Sequence, residues 1–200
     1  TDPREAWCWG ANSYGQLGTA TKARQTVPIR VGTANDWATV EAGQNHVLAI
    51  KSDGSLWAWG QNRYGQLGDG TTGDRNVPTR IGTATNWVAV SAGSSHSLAL
   101  KSDGSLWAWG SNMWGELGDG STTEKHSPTR IGTATNWVIV TAGANSQAIK
   151  SDGSLWGWGG NGRGSLGDGT ATKRLSPVRI GTAADWVVVN SAGCGAILKD

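Results

Sequence analysis

Phenylalanine is absent from this 200-residue chain, and methionine occurs once. Two tyrosines accompany 13 tryptophans, so the aromatic packing rests almost wholly on indole. Two cysteines, Cys8 and Cys194, are too few for a disulfide-dense scaffold and leave the redox compartment open. The net charge is only +2, which argues for neither nucleic acid nor an acidic membrane as partner. No apolar run approaches a membrane span, so no membrane insertion is expected. The chain starts at Thr1 without a signal peptide, as a processed chain or a piece of a longer one would. Few Lys and Glu among many Gly, Thr, Ser and Trp lean towards a secreted or cell-surface protein, and the cytoplasm stays open.

What is abundant is repetition. SDGSLWAWG stands at Ser52–Gly60 and again at Ser102–Gly110, and SDGSLWGWG stands at Ser151–Gly159. A worn copy, DPREAWCWG, occupies Asp2–Gly10. A spacing of 50 and then 49 residues marks a repeat architecture. Four units follow, at about 1–50, 51–100, 101–149 and 150–200, in a single repeat domain.

One unit shows the local structure. Asn86–Val90 is β-branched and aromatic and predicts a short strand. His96–Lys101 alternates with period 2, another strand signature. Asp103-Gly104 predicts a two-residue hairpin turn, which sets Ala99 opposite Ala108. The return strand Ser105–Gly110 puts Leu106 and Ala108 on one face, Trp107 and Trp109 on the other. A glycine-rich loop covers 111–127, and Pro128 opens a last strand at an edge, where a missing N–H costs little. Both sheet faces are apolar and need cover. Radial stacking of four-stranded sheets provides it, so the expected fold is an all-β propeller of four antiparallel blades. A solenoid is the alternative, with coils usually shorter than this period.

At these residues the chain resembles the regulator of chromosome condensation repeat family. The matching pieces are VSAGSSHSLAL (90–100), the D-G-x-L-x-x-W-G turn and strand, and N-x-x-G-x-L-G (112–118). The resemblance implies a β-propeller, most often seven-bladed. It does not imply one activity, because the family includes a Ran nucleotide exchanger, a plant UV-B photoreceptor and a bacterial β-lactamase inhibitor. The array drifts from the family pattern towards both ends. The first unit lacks the SDG turn, the third reads AGANSQAIK (142–150) without histidine in register, and the fourth is shortened to AGCGAILK (192–199).

Four blades leave the ends in question. A bare face of about 300–500 Å² would cost on the order of 10 kcal/mol. Three arrangements cover it: a self-closed four-bladed ring, half of an oligomeric ring such as a homodimer, or a segment of a larger, seven-bladed propeller. The lone return strand Ala6–Gly10 and the terminal strand Gly195–Lys199 form the two halves of one hairpin. A Cys8–Cys194 disulfide is disfavoured by their offset in that register.

The candidate chemistry is non-catalytic, because polar residues repeat in every unit whereas a catalytic group is asymmetric. Twelve tryptophans fall in three columns and read as packing residues. Arg30, Arg80, Arg130 and Arg179 read as ties to a neighbouring blade, and His46 and His96 as structural hydrogen bonders. No cofactor or metal is expected: one carboxylate per LGDG loop is too few for calcium, and the loops lack a G-K-[ST] ending. One loop column varies: Tyr14, Tyr64, Trp114 and Arg163, preceded by Ser13, Arg63, Met113 and Gly162. Variable loop positions carry specificity, and Trp, Tyr and Arg are favoured interface anchors. Glu116 in the same loop, and Arg75, Lys125 and Arg174 in the charged loops, complete the candidate partner-binding set. The expected function is a non-enzymatic protein-interaction or assembly module whose protein partner is unidentified. A lectin with one shallow carbohydrate site per blade is the alternative.

Overall fold

The computed structural model describes residues 4–190 and the backbone of 195–198. Strands β1 (Trp7–Gly10) and β2 (Gln25–Arg30) form a two-stranded sheet. Three four-stranded sheets follow in chain order. The first holds β3 (Trp37–Ala42), β4 (His46–Lys51), β5 (Leu56–Gly60) and β6 (Arg75–Arg80). The second holds β7 (Trp87–Ala92), β8 (His96–Lys101), β9 (Leu106–Gly110) and β10 (Lys125–Arg130). The third holds β11 (Trp137–Ala142), β12 (Asn145–Lys150), β13 (Leu155–Gly159) and β14 (Arg174–Arg179). A pair, β15 (Trp186–Asn190) and β16 (Gly195–Leu198), ends the series. The described residues thus make three four-stranded blades, preceded by a pair of outer strands and followed by a pair of inner ones.

The hairpin register differs from the expected one by a residue. Ala99 pairs with Trp107 and Leu98 with Ala108. The loop has three residues, Ser102–Gly104, because Lys101 N–H donates to Ser105 O and Gly104 N–H donates to Lys101 O. Only Gly104 takes a positive φ, 74°. This is a type I turn closed by a left-handed glycine, where a two-residue turn would need two such residues. A side chain at Gly104 would also strike the carbonyl of Thr135, in the next blade. Gly104→Ala is expected to cost about 1–3 kcal/mol through strain and clash, read as a shift of the urea midpoint.

The turn explains why SDGSLW recurs intact. Asp103 Oδ1 accepts from Ser105 N–H at 3.0 Å and from Ser105 Oγ–H at 2.6 Å. Ser105 Oγ in turn accepts from Trp107 Nε1–H at 2.9 Å. These bonds hold the Asp103 carboxyl below its usual pKa range. The outer strands start earlier than expected, so Lys125 and its counterparts Arg75 and Arg174 open strands rather than sit in loops. Pro128 lies within edge strand β10, beside a register shift.

The cores lie between blades. Leu48, Ile50, Leu56 and Leu67 of the first complete blade pack against Trp87, Val90 and Trp109 of the second. Leu98, Leu100, Leu106 and Leu117 meet Trp137 and Trp158 in the same way. Each buried aliphatic side chain is worth about 1.5–3 kcal/mol, so a blade is stable only with a neighbour on each face.

The packing tryptophans form a repeated sandwich. Trp87 and Trp107 meet edge to face at 5.7 Å, and Lys101 Nζ sits 4.7 and 4.1 Å from their ring centres. Lys51 and Lys150 repeat the arrangement in the other complete blades. The arginine column behaves differently from expectation. Arg30, Arg80, Arg130 and Arg179 donate to carbonyls three or four residues ahead, so they brace their own loops.

Candidate interaction surface

Each loop joining the third and fourth strands of a blade is built on a buried asparagine. Asn62 Oδ1 accepts Leu67 N–H at 2.9 Å, while Nδ2 donates to Asp69, Thr71 O and Gly73 O. Asn112 and Asn161 repeat this network. Asp69 also accepts from Thr71 and from Arg75, whose Nε lies 2.8 Å from Oδ2. Burial opposes ionisation of Asp168, yet its bonds from Thr170, Arg174 and Asn161 outweigh it and pull the pKa down to about 2. The N-x-x-G-x-L-G motif is therefore a loop clamp.

That clamp decides the fate of four candidates. Arg75 and Arg174 are bound to Asp69 and Asp168 at 2.6 Å, and Lys125 reaches Asp119 at 3.6 Å. They brace the loops while their side chains stay partly exposed at the surface. Glu116 is 7% exposed and its Oε2 accepts Trp114 N–H at 2.8 Å. It shapes the turn beneath Trp114 rather than presenting its carboxylate outward.

The varying column does reach solvent. Met113 is 64% exposed and Trp114 is 56% exposed. Tyr14, Arg63 and Arg163 are exposed too, and Tyr64 is half-buried with the Arg63 guanidinium 5.6 Å from its ring centre. Tyr64 and Trp114 each face the following loop across a groove. Tyr64 and Met113 line one of about 350 Å³ with Thr122, Thr123 and Glu124. Trp114 lines the next, about 570 Å³, with Arg163, Ser165, Ala171 and Lys173. Lys173 Nζ sits 5.9 Å from the Trp114 ring centre. Among the described residues neither Arg163 nor Lys173 forms an ion pair.

Beneath these loops the blades are fastened by shared carbonyls. Gln66 O accepts Trp109 Nε1–H at 2.9 Å and Ser97 Oγ–H at 2.7 Å, both from the next blade. Ser97 has then spent its proton, so His46 Nε2, 3.0 Å away, must be the N–H donor to Ser97 Oγ. His96, Ser146 and Glu116 O repeat the relay at the following interface. Burial pushes the pKa of His46 down to about 3, helped by His96, and that of His96 to about 4. Both histidines are structural, as expected from the sequence.

The four copies match the regulator of chromosome condensation (RCC1) repeat model at residues 5–50, 53–100, 103–148 and 152–196. The chain belongs to the RCC1 repeat family. Its fold is similar to that of human WBSCR16, with a TM-score of 0.85 and 26% identity over 96% of this chain and 52% of that one. It is also similar to Prp20p of Saccharomyces cerevisiae, with a TM-score of 0.82 and 25% identity over 94% of this chain and 49% of that one. The chain therefore spans about half the length of these solved relatives. The Prp20p structure was described with its binding properties to Gsp1p and histones.

Three features lie apart from the clamps. No group of three His, Cys, Asp or Glu suited to a metal occurs among the described residues, and no helix there is long and apolar enough to cross a membrane. Cys8 is half-buried with Sγ–H donating to Leu17 O at 2.9 Å, and burial raises its pKa. Its pairing with Cys194 falls outside the described residues.

Proposed function

We propose that this RCC1-repeat chain is a non-enzymatic protein-binding platform whose contact surface is the row of loops carrying Tyr14, Arg63, Tyr64, Met113, Trp114 and Arg163. The observation that carries the reading is the pair of grooves at Tyr64–Met113 and Trp114–Arg163. Large apolar groups stand exposed there on loops whose bases are rigidly clamped, which keeps the ordering cost of binding low. The binding of Gsp1p and histones studied for Prp20p fits a protein partner. The Trp114 groove, with unpaired Arg163 and Lys173, suits a partner segment that sets a carboxylate beside an apolar side chain.

The carbohydrate reading has less support. A sugar site needs free planar acceptors and donors beside an aromatic ring. The Asn and Asp residues of these loops are consumed by the clamp, as the bonds of Asn112 and Asp119 illustrate.

A displayed random-peptide library tests the proposal. Selection on the chain should yield peptides, enriched in acidic and apolar residues, whose binding falls at least tenfold on Trp114→Ala. The same variant should melt within about 0.5 kcal/mol of the parent, because the side chain is mostly exposed. Glycan-array binding that the variant abolishes, with no peptide selected, would sink the proposal.

A further inference from the structure

The two grooves of the loop row carry opposite charge. Adjacent residues divide them: Met113 lines the first and Trp114 the second, and both side chains are mostly exposed. The pair is therefore a ridge over which a segment leaving one groove enters the next. Among the described residues, Glu124 is the one charged side chain lining the first groove, and Arg163 and Lys173 are those lining the second. The Arg63 guanidinium lies 5.6 Å from the Tyr64 ring centre but outside the groove lining.

The reversal falls at one register position. Glu124 stands five residues after Asp119, and Lys173 five after Asp168, so the two occupy the same place in consecutive loops. Asp119 and Asp168 are held alike, by Asn112 and Asn161, so those loops share one frame. The charge of the groove wall changes sign while the frame beneath it does not. Size changes in the same step. Gly162 stands where the preceding loop has Met113, and the second groove holds about 570 Å³ against about 350 Å³ in the first. The narrower groove, walled by the Tyr64 ring, the Met113 thioether and Glu124, fits a long aliphatic stem ending in a cation. The wider one, walled by the Trp114 indole, Arg163 and Lys173, fits a bulky apolar side chain with a carboxylate beside it.

We propose that a single extended partner segment lies across the Met113–Trp114 ridge. It sets a Lys or Arg in the Tyr64–Glu124 groove, and an Asp or Glu beside an apolar side chain in the Trp114–Lys173 groove. This rests on the platform reading and adds to it the charge pattern of the ligand. Packed sheets lie about 10 Å apart and fan outwards, so about three to five extended residues separate the two charges. A segment with two acids or two bases sets like charges together in one groove, which costs affinity.

Peptides selected on the chain from a displayed library should carry both charges at that spacing. Their affinity should fall at least tenfold on Glu124→Lys and on Lys173→Glu, both at exposed positions. Exchange of the peptide's base for Glu should recover at least fivefold on Glu124→Lys, the mark of a direct contact. Glu124→Gln keeps an acceptor for His126, 2.8 Å away, and should weaken the peptides several-fold, which separates the charge from the shape of the loop. Peptides that need Trp114 yet bind Glu124→Lys as tightly as the parent would overturn the bridge and leave the platform standing. A selection with no Trp114-dependent peptide would remove the platform, and the bridge with it.

Discussion

Acidification from pH 7.5 to 5 should remove about 4 kcal/mol of stability through two side chains. His46 and His96 are buried and neutral, with pKa values near 3 and 4, against about 6.5 in an unfolded chain. Between those limits the unfolded state binds protons that the folded state refuses, so stability falls as the pH falls. The loss begins near 6.5 and amounts to about 1.4 kcal/mol per pH unit for each histidine, or about 2 kcal/mol each at pH 5. It continues to about pH 4, where His96 begins to titrate in the fold. Such a loss is a large fraction of a typical domain stability of 5–15 kcal/mol. Urea midpoints at pH 7.5 and 5.0 measure it. The double variant His46→Asn/His96→Asn should flatten the dependence above pH 5. Asparagine is native at this register in the third complete blade, where Asn145 pairs with Gly159 and its Nδ2–H donates to Ser165 Oγ. An unchanged slope in the double variant would place the proton uptake elsewhere.

Trp109→Ala should cost about 3–5 kcal/mol, the largest loss expected of a single truncation. The ring is fully buried between two blades and touches the cluster around Leu48, Leu56 and Leu67. Its indole N–H also supplies one of the two bonds to Gln66 O. Trp109→Phe separates the two contributions. It keeps most of the apolar volume, loses the donor, and should cost about 1–2 kcal/mol, since Ser97 still satisfies the carbonyl. Chemical denaturation of both variants gives the comparison. Equal losses for Phe and Ala would mean that the hydrogen bond, not the filled volume, holds the interface.

The blades were legible because their signals are local. His96–Lys101 has the bounds expected from its alternation, and the tryptophan columns mark which strand faces which neighbour. The turn was misjudged by one residue, since Asp-Gly suits both the two-residue hairpin and the three-residue loop with a left-handed glycine. Pairing Asp103 with Ser105 and Trp107 decides between them, and that chain of bonds shows only in three dimensions. The fastenings between blades were less accessible still. The His46–Ser97 and Trp109–Gln66 bonds join residues 51 and 43 apart, and no single repeat contains both partners.

The interaction surface was visible for one reason and obscured for another. Met113, Trp114 and Arg163 stood out because they break a repeated column. Arg75, Lys125 and Arg174 looked like free surface charge, although each lies six residues after the LGDG aspartate that binds it. A spacing that constant is the mark of a clamp.

The claim that the row of loops is a protein-binding surface is tested most directly by measuring library-selected peptides on the chain and on its Trp114→Ala variant. The account predicts acidic, apolar peptides whose affinity falls at least tenfold on the variant while its stability is kept. Peptides that bind parent and variant alike would contradict it.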